Sequence, residues 1–337
     1  MTYADLDADS QVELLRPVAA EGARQLGLEA ADLALVSHAY NTTFRLTTPQ
    51  GEVVAVRVLT NSDSTTAQLA AQHAWMHALA RDTAIAVPDP VLGPDGQDHA
   101  VVASAEVGRD VVVVAASWLP GDDVGTDLSE EQAHTLGATM ARMHEHAERW
   151  HPPEGASLPV YDDPLFGAED VLSSSPLPDG GAELVLGALA DARAAYATIG
   201  EADLIPIHAD LHGGNLKWHE GRLAVFDFDD SGLGTPVLDL AISAFYLRGW
   251  SASGDAAEAA MRTGYASVRP LPEVDEATFE TLVAGRQLLL GNDLLTTSTA
   301  SLRAEAAAYA AVTCDRLRAW RETGRFTRAV GETRTFG

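Results

Sequence analysis

The chain has 337 residues, 46% apolar and 21% charged, which is enough for a sizeable core in one large domain or two. Its 22 Lys and Arg face 49 Asp and Glu, a formal charge of −27 at pH 7. So acidic a surface repels phosphate backbones and argues against a nucleic-acid binder.

In chain order, the opening MTYADLDADS lacks the basic and apolar regions of a signal peptide. The longest apolar run, Val111 to Leu119, falls short of the roughly 20 residues that span a bilayer. A cytoplasmic protein without membrane contact is expected. Thr42–Leu46 and Val53–Val58 flank the turn signal Pro49-Gln50-Gly51 and predict a β-hairpin. Ser64 to Arg81 has helical spacing and ends at Val87-Pro88-Asp89-Pro90. Strands are predicted near 100–105 and 110–118. After Leu119-Pro120-Gly121 the pattern turns helical, with Ser129-Glu130-Glu131-Gln132 as a capped start for a helix to about Trp150. Residues 151–182 are rich in Pro, Gly, Ser and Asp and read as a long loop. Glu183 to Gly200 reads as helix. Two short apolar runs, 204–207 and 223–226, each lead into a polar cluster, and beyond 236 the chain reads as helical apart from breaks near 269–272. Cys314 stands alone, which excludes an intrachain disulfide and zinc–cysteine clusters.

The chemistry concentrates in His208-Ala209-Asp210-Leu211-His212-Gly213-Gly214-Asn215 and in Asp227-Phe228-Asp229-Asp230. Both clusters stand at strand ends. Asn215 and Asp227 offer oxygen donors suited to Mg²⁺, a hard cation that usually takes one or two protein groups plus substrate phosphate. A separate carboxylate, Asp210, is placed to accept the proton of an attacking hydroxyl. Phosphoryl transfer needs little more, because its catalysis is mostly positioning and charge neutralisation.

His208-x-Asp210-x-x-x-x-Asn215 followed by Asp227-Phe228-Asp229 resembles the motifs of the aminoglycoside phosphotransferase and choline kinase superfamily, with type II homoserine kinase and bacterial stress-response kinases among the similar groups. The resemblance implies an α+β, protein-kinase-like bilobal fold: an N-terminal nucleotide-binding lobe over 1–116, a hinge at 117–121 and a mainly helical catalytic and substrate-binding lobe over 122–337. It implies an ATP- and Mg²⁺-dependent kinase with Asp210 as catalytic base and His208 bracing the loop. Asn215 and Asp227 would bind the metal, with Asp229 as an additional contact and Asp239 as a structural support. Ser37 to Leu46 resembles the nucleotide-covering hairpin, with Asn41 and Thr42 facing phosphates. Arg57 stands where kinases place a lysine, and Ser117 to Leu119 resembles the adenine-binding hinge. The helix residue expected to pair with Arg57 is Gln72 rather than Glu, a departure that weakens the usual bracing.

The resemblance implies a small-molecule hydroxyl as acceptor, and together with the acidic balance it favours a cationic one such as an aminoglycoside, amino sugar or amino alcohol. Asp122-Asp123 and Asp162-Asp163 are read mainly as solvated acids, His144, His146 and His151 as solvated histidines, and Gly232-x-Gly234 as a turn. Three other readings stand beside this one. Gln72 and Arg57 suit a regulatory pseudokinase, a protein Ser/Thr kinase shares the motifs, and His208, Asp210 and His212 offer ligands for a metallohydrolase. Oligomeric state is not read.

Overall fold

A computed structural model describes residues 2–200, 204–249 and 253–331. The fold is α+β, with an antiparallel N-terminal sheet and a helical remainder. Helix α1 (Ala8–Gln25) is capped by Asp7, whose side chain accepts from the Ser10 amide. It is not among the expected elements, although Val12, Leu15, Val18, Ala19, Gly22 and Ala23 bury one face at helical spacing on both sides of Pro17. Strands β1 (Asp32–His38), β2 (Thr42–Thr47) and β3 (Val53–Leu59), helix α2 (Thr66–Asp82), and strands β4 (Ala100–Ser104) and β5 (Arg109–Ser117) follow. The sheet order is β1-β2-β3-β5-β4.

Strict alternation explains the sheet. Phe44 and Leu46 of β2 and Val54, Val56 and Val58 of β3 bury one face against Leu15, Val18 and Ala19 of α1. Gly22 of α1 lies so close to β5 that a Cβ there would meet the Val113 side chain at 2.4 Å. The opposite face of the sheet turns Thr43 and Arg57 toward the cleft between the lobes. Helix α2 starts in a capping box between Thr65 and Gln68.

After β5, β6 (Asp122–Asp123) pairs with β8 (Leu216–His219), which pairs with β9 (Arg222–Val225). Strand β7 (Ile205–Ile207) pairs with β10 (Gly232–Gly234). The Gly232-x-Gly234 segment is thus a strand rather than a turn. Its glycines serve close approach, since a Cβ on Gly232 would enter the Tyr161 ring at 2.3 Å. Helices α3 (Glu130–Ala147), α4 (Gly181–Ile199), α5 (Pro236–Leu247), α6 (Ser253–Ala266), α7 (Glu276–Thr296) and α8 (Ala300–Thr323) complete the lobe. The expected capping box, Ser129 with Gln132, opens α3. Helices α3 and α6 touch backbone to backbone, because a Cβ on Gly137 would sit 1.9 Å from the Met261 carbonyl oxygen. Among the described residues no helix is long and apolar enough to cross a membrane.

The α7–α8 connection reaches back to the N-terminal sheet. Asn61 donates to the Thr299 hydroxyl at 2.9 Å and accepts from the Ser298 amide at 2.6 Å, and Thr299 donates to the Ala39 carbonyl at 2.6 Å. The α7–α8 connection is thereby bolted to the sheet hairpin that roofs the cleft.

Candidate active site

The loop after β7 is held from behind by one carboxylate. Asp239, in the first turn of α5 and 1% exposed, accepts from the His208 amide at 3.1 Å and the Ala209 amide at 2.7 Å. These bonds hold Ala209 at φ +61°, a left-handed conformation that non-glycine residues rarely adopt. The third contact of Asp239 is His144 Nε2 at 3.0 Å, and His144 Nδ1 meets the Tyr265 hydroxyl at 3.0 Å. His144 is therefore fully buried rather than solvated, because α6 supplies Tyr265 and α5 supplies Asp239 on either side of it. His208 is buried as well. Its Nε2 meets the Phe226 carbonyl at 3.1 Å and its Nδ1 accepts from the Asp210 amide at 3.3 Å. With both nitrogens engaged, His208 cannot ligate a metal with Asp210 and His212, which removes the metallohydrolase arrangement.

Asp210 receives donors on both oxygens. Arg286 of α7 forms an ion pair with Oδ1, and Tyr246 of α5 donates to the same oxygen at 3.2 Å. Asn215 Nδ2 donates to Oδ2 at 2.8 Å, and His212 Nε2 lies 3.4 Å from that oxygen. Burial pushes the Asp210 carboxyl up, but the Arg286 guanidinium, helped by His212, outweighs it and holds the group well below the usual carboxylate range. His212 uses Nδ1 to accept from the Gly214 amide at 3.0 Å and stacks on Tyr246 at 4.1 Å. Arg286 and Tyr246 were not among the expected site residues.

The second cluster is tied to the N-terminal sheet. Asp227 has φ +66°, and Arg57 donates to its Oδ1 at 2.8 Å. Arg57 also grips Asp229 at 2.9 Å, and Asn41 Nδ2 donates to Asp229 Oδ2 at 2.7 Å. Gln72 does not pair with Arg57; its Nε2 donates to the Asp229 backbone oxygen at 2.8 Å, a contact that a carboxylate could not make. The anionic partners of Arg57 are thus Asp227 and Asp229. Asn41 further accepts from the Thr60 amide at 3.0 Å, so it works as a strut. Thr42 is fully buried and bonded to His38 at 2.8 Å, and Thr43, its neighbour on the opposite face of β2, lines the cleft instead.

Asn215 spends its amide nitrogen on the Asp210 carboxylate and on the Asp210 backbone oxygen at 3.0 Å, which points its own oxygen away from both. Asp227 keeps Oδ2 outside the Arg57 bond. Two hard oxygens from adjacent loops form the donor set that Mg²⁺ takes when phosphates and water complete its shell. The residues fit that cation. Both oxygens of Asp229, by contrast, are already engaged by Arg57 and Asn41.

Two cavities meet at these groups. One of about 590 Å³ runs from Ser117, Trp118, Leu119, Met76 and Val114 to Asn215 and Asp227. The other, of about 660 Å³, opens between α7 and the roofing hairpin and is lined by Tyr40, Tyr161, Tyr246, Leu290, Asp230 and Asp293. Asp210, His212, Arg57, Asp227 and Asp229 border both. In the outer cavity, burial pushes the Asp293 carboxyl up to about 6 against the pull of Arg286. Asp230 is raised too, by burial and by the charge of Asp210. Asp163 instead pairs with Arg193 at 2.9 Å, and Asp123 with Lys217 at 2.8 Å.

A profile of the phosphotransferase enzyme family matches residues 32–271, from β1 to just beyond α6. The chain belongs to that family. It is 50% identical over 36 residues to amicoumacin kinase of Bacillus subtilis (strain 168), a match spanning 11% of each chain. Solved structures share the fold. The microcompartment-associated aminopropanol kinase superposes with a TM-score of 0.71 at 21% identity, over 95% of this chain and 99% of that one. An amicoumacin kinase in complex with AMP-PNP, Ca²⁺ and Ami gives 0.67 at 20% identity, over 84% and 88%. A spectinomycin phosphotransferase gives 0.57 at 11%, over 90% and 93%. In this phosphotransferase the profile takes in the whole cavity that ends at Asn215 and Asp227, whereas the wall of the outer cavity built by Arg286, Leu290 and Asp293 lies beyond residue 271.

Proposed function

We propose that this phosphotransferase moves the γ-phosphate of ATP to a hydroxyl of a small, amino-bearing molecule, with Asp210 orienting that hydroxyl. The observation that carries the reading is the meeting of two cavities at Asp210, with the Asn215 and Asp227 oxygens on the hinge side and carboxylates lining the outer side. The hinge backbone at Ser117 to Leu119 would hold the adenine, and Arg57 would contact the phosphate chain with a guanidinium that stays charged. Asn215 and Asp227 would hold Mg²⁺, which when bound neutralises charge on the phosphate oxygens. Asp210 binds the acceptor hydroxyl, the acceptor oxygen bonds to the γ-phosphorus as the bond to the β-bridging oxygen breaks, and Asp210 takes the proton.

A carboxylate held so far below its usual range is a weak base, yet the reaction tolerates this. A loose transition state asks for late proton loss and accurate placement rather than early deprotonation. The amino-bearing acceptor is supported by Asp293 and Asp230, which both line the outer cavity and share Arg286, 3.7 Å from Asp230, with Asp210. Tyr40, close enough to feel both charges, adds an aromatic face beside them. The aminopropanol and amicoumacin kinases of the same fold are named for acceptors of their own, and neither name is carried over to this chain.

The test is transfer of labelled γ-phosphate from Mg-ATP to a panel of aminoglycosides, amino sugars, amino alcohols, homoserine, choline and neutral sugars. A labelled amine-bearing product is expected. A product only with neutral sugars would refute the assigned acceptor class.

A further inference from the structure

A carboxylate offers about four lone-pair directions for hydrogen bonds. On Asp210 they are claimed by Arg286 and by Tyr246 at 3.2 Å on Oδ1, and by Asn215 at 2.8 Å with His212 at 3.4 Å on Oδ2. Three donors at hydrogen-bond distance and the His212 ring thus surround the carboxylate, so a hydroxyl arriving from the outer cavity competes with a donor already present.

The four are not equally replaceable. Arg286 is charged and its side chain is 3% exposed, so turning it from Asp210 would break a buried ion pair and leave only the longer contact to Asp230 at 3.7 Å. Asn215 is fixed by a second bond to the Asp210 backbone oxygen. His212 is tied to the Gly214 amide, and its contact with Asp210 is too long to be a good hydrogen bond. Tyr246 is neutral, forms a wall of the outer cavity and donates through a hydroxyl, the same group an acceptor brings. When its proton turns away from Asp210, its oxygen keeps the Arg286 bond at 3.0 Å, and its O–H is free to donate to the oxygen of the arriving acceptor. The ring itself is held by the His212 stack and by the Arg286 guanidinium 5.6 Å from its centroid.

We propose that Tyr246 is a positioning residue that occupies, on Asp210, the lone pair an acceptor hydroxyl takes, and so keeps water from that place until the acceptor binds. The proposal rests on the reading of Asp210 given above. A phosphotransferase with an open, solvated carboxylate beside its nucleotide wastes ATP: the water oxygen bonds to the γ-phosphorus, the bond to the β-bridging oxygen breaks, the proton passes to Asp210, and ADP and phosphate leave. The Tyr246 hydroxyl fills the place from which that water would be held.

The experiment measures phosphate release from Mg-ATP with no acceptor present, in wild type, Tyr246→Phe, Asp210→Asn and the double variant. Phe keeps the ring and its stack, and equal melting temperatures of wild type and Tyr246→Phe verify the fold. Tyr246→Phe is expected to raise hydrolysis about three- to tenfold, the factor of one neutral hydrogen bond. The rise is expected to vanish in the Asp210→Asn background. Hydrolysis at or below the wild-type rate in Tyr246→Phe overturns the proposal while leaving the Asp210 reading intact. A rise that persists without Asp210, or unimpaired phosphate transfer by Asp210→Asn, overturns the proposal together with that reading.

Discussion

Replacing Asp239 by Ala tests whether the loop bearing Asp210 is held by a single buried carboxylate. Asp239 accepts from the His208 amide, the Ala209 amide and His144 Nε2 at 3.1, 2.7 and 3.0 Å, all out of water. Each donor left without a partner costs about 1–3 kcal/mol. The three share one small cavity that a water molecule can partly serve, so the combined loss is about 3–5 kcal/mol, the range for breaking a buried polar pair. Ala209, at φ +61°, also loses the bond that holds its conformation. Urea unfolding followed by far-ultraviolet circular dichroism measures the loss. Asp239→Asn, which keeps one oxygen for the Ala209 amide, is expected to lose roughly half as much. A stability within about 1 kcal/mol of wild type in Asp239→Ala would refute the reasoning, because three buried donors would then have found other partners at no cost.

The Asp293 carboxyl is pushed up to about 6, so it is neutral in acid and charged above that pH. The acceptor KM should therefore fall as pH rises between about 5 and 7, and Asp293→Asn should flatten that profile and raise KM about tenfold. The fold responds with the opposite sign. A raised carboxyl stabilises while protonated, fully below its ordinary value near 3.8 and no longer above about 6, so thermal stability near neutrality should rise in Asp293→Asn. Gly137→Ala places a Cβ 1.9 Å from the Met261 carbonyl oxygen and should force α3 and α6 apart, at a cost of about 3 kcal/mol by thermal melting.

Much of the fold was legible because it rests on local signals. The β2–β3 hairpin shows as alternation around Pro49-Gln50-Gly51, and α3 shows as a serine cap with Gln132 three residues on. The loop carrying His208, Asp210 and Asn215 was legible because its residues are neighbours in sequence. What escaped depends on distance along the chain or on register. Arg286 reaches Asp210 across 76 residues from the middle of a helix whose buried pattern looks like plain core. Thr42 and Thr43 differ by one position, and on a strand one position exchanges the cleft for the core. His144 failed a spacing test for a shared helix face, yet it is buried because two other helices bring Tyr265 and Asp239 to it. Gln72 looked like a weakened copy of a glutamate, whereas it bonds a backbone oxygen that only a donor can serve. Helix α1 escaped although its buried positions keep helical spacing through Pro17, which does not end the helix.

The most direct test of the account is the fate of the γ-phosphate. Incubating the protein with Mg-ATP labelled in the γ-position and an amino-bearing acceptor, in wild type and in Asp210→Asn, asks whether label moves to the acceptor and whether Asp210 is needed. The account predicts a labelled phosphoester in the wild type and a loss of about 10²–10⁴ in turnover in the variant. Equal transfer by both proteins would contradict it.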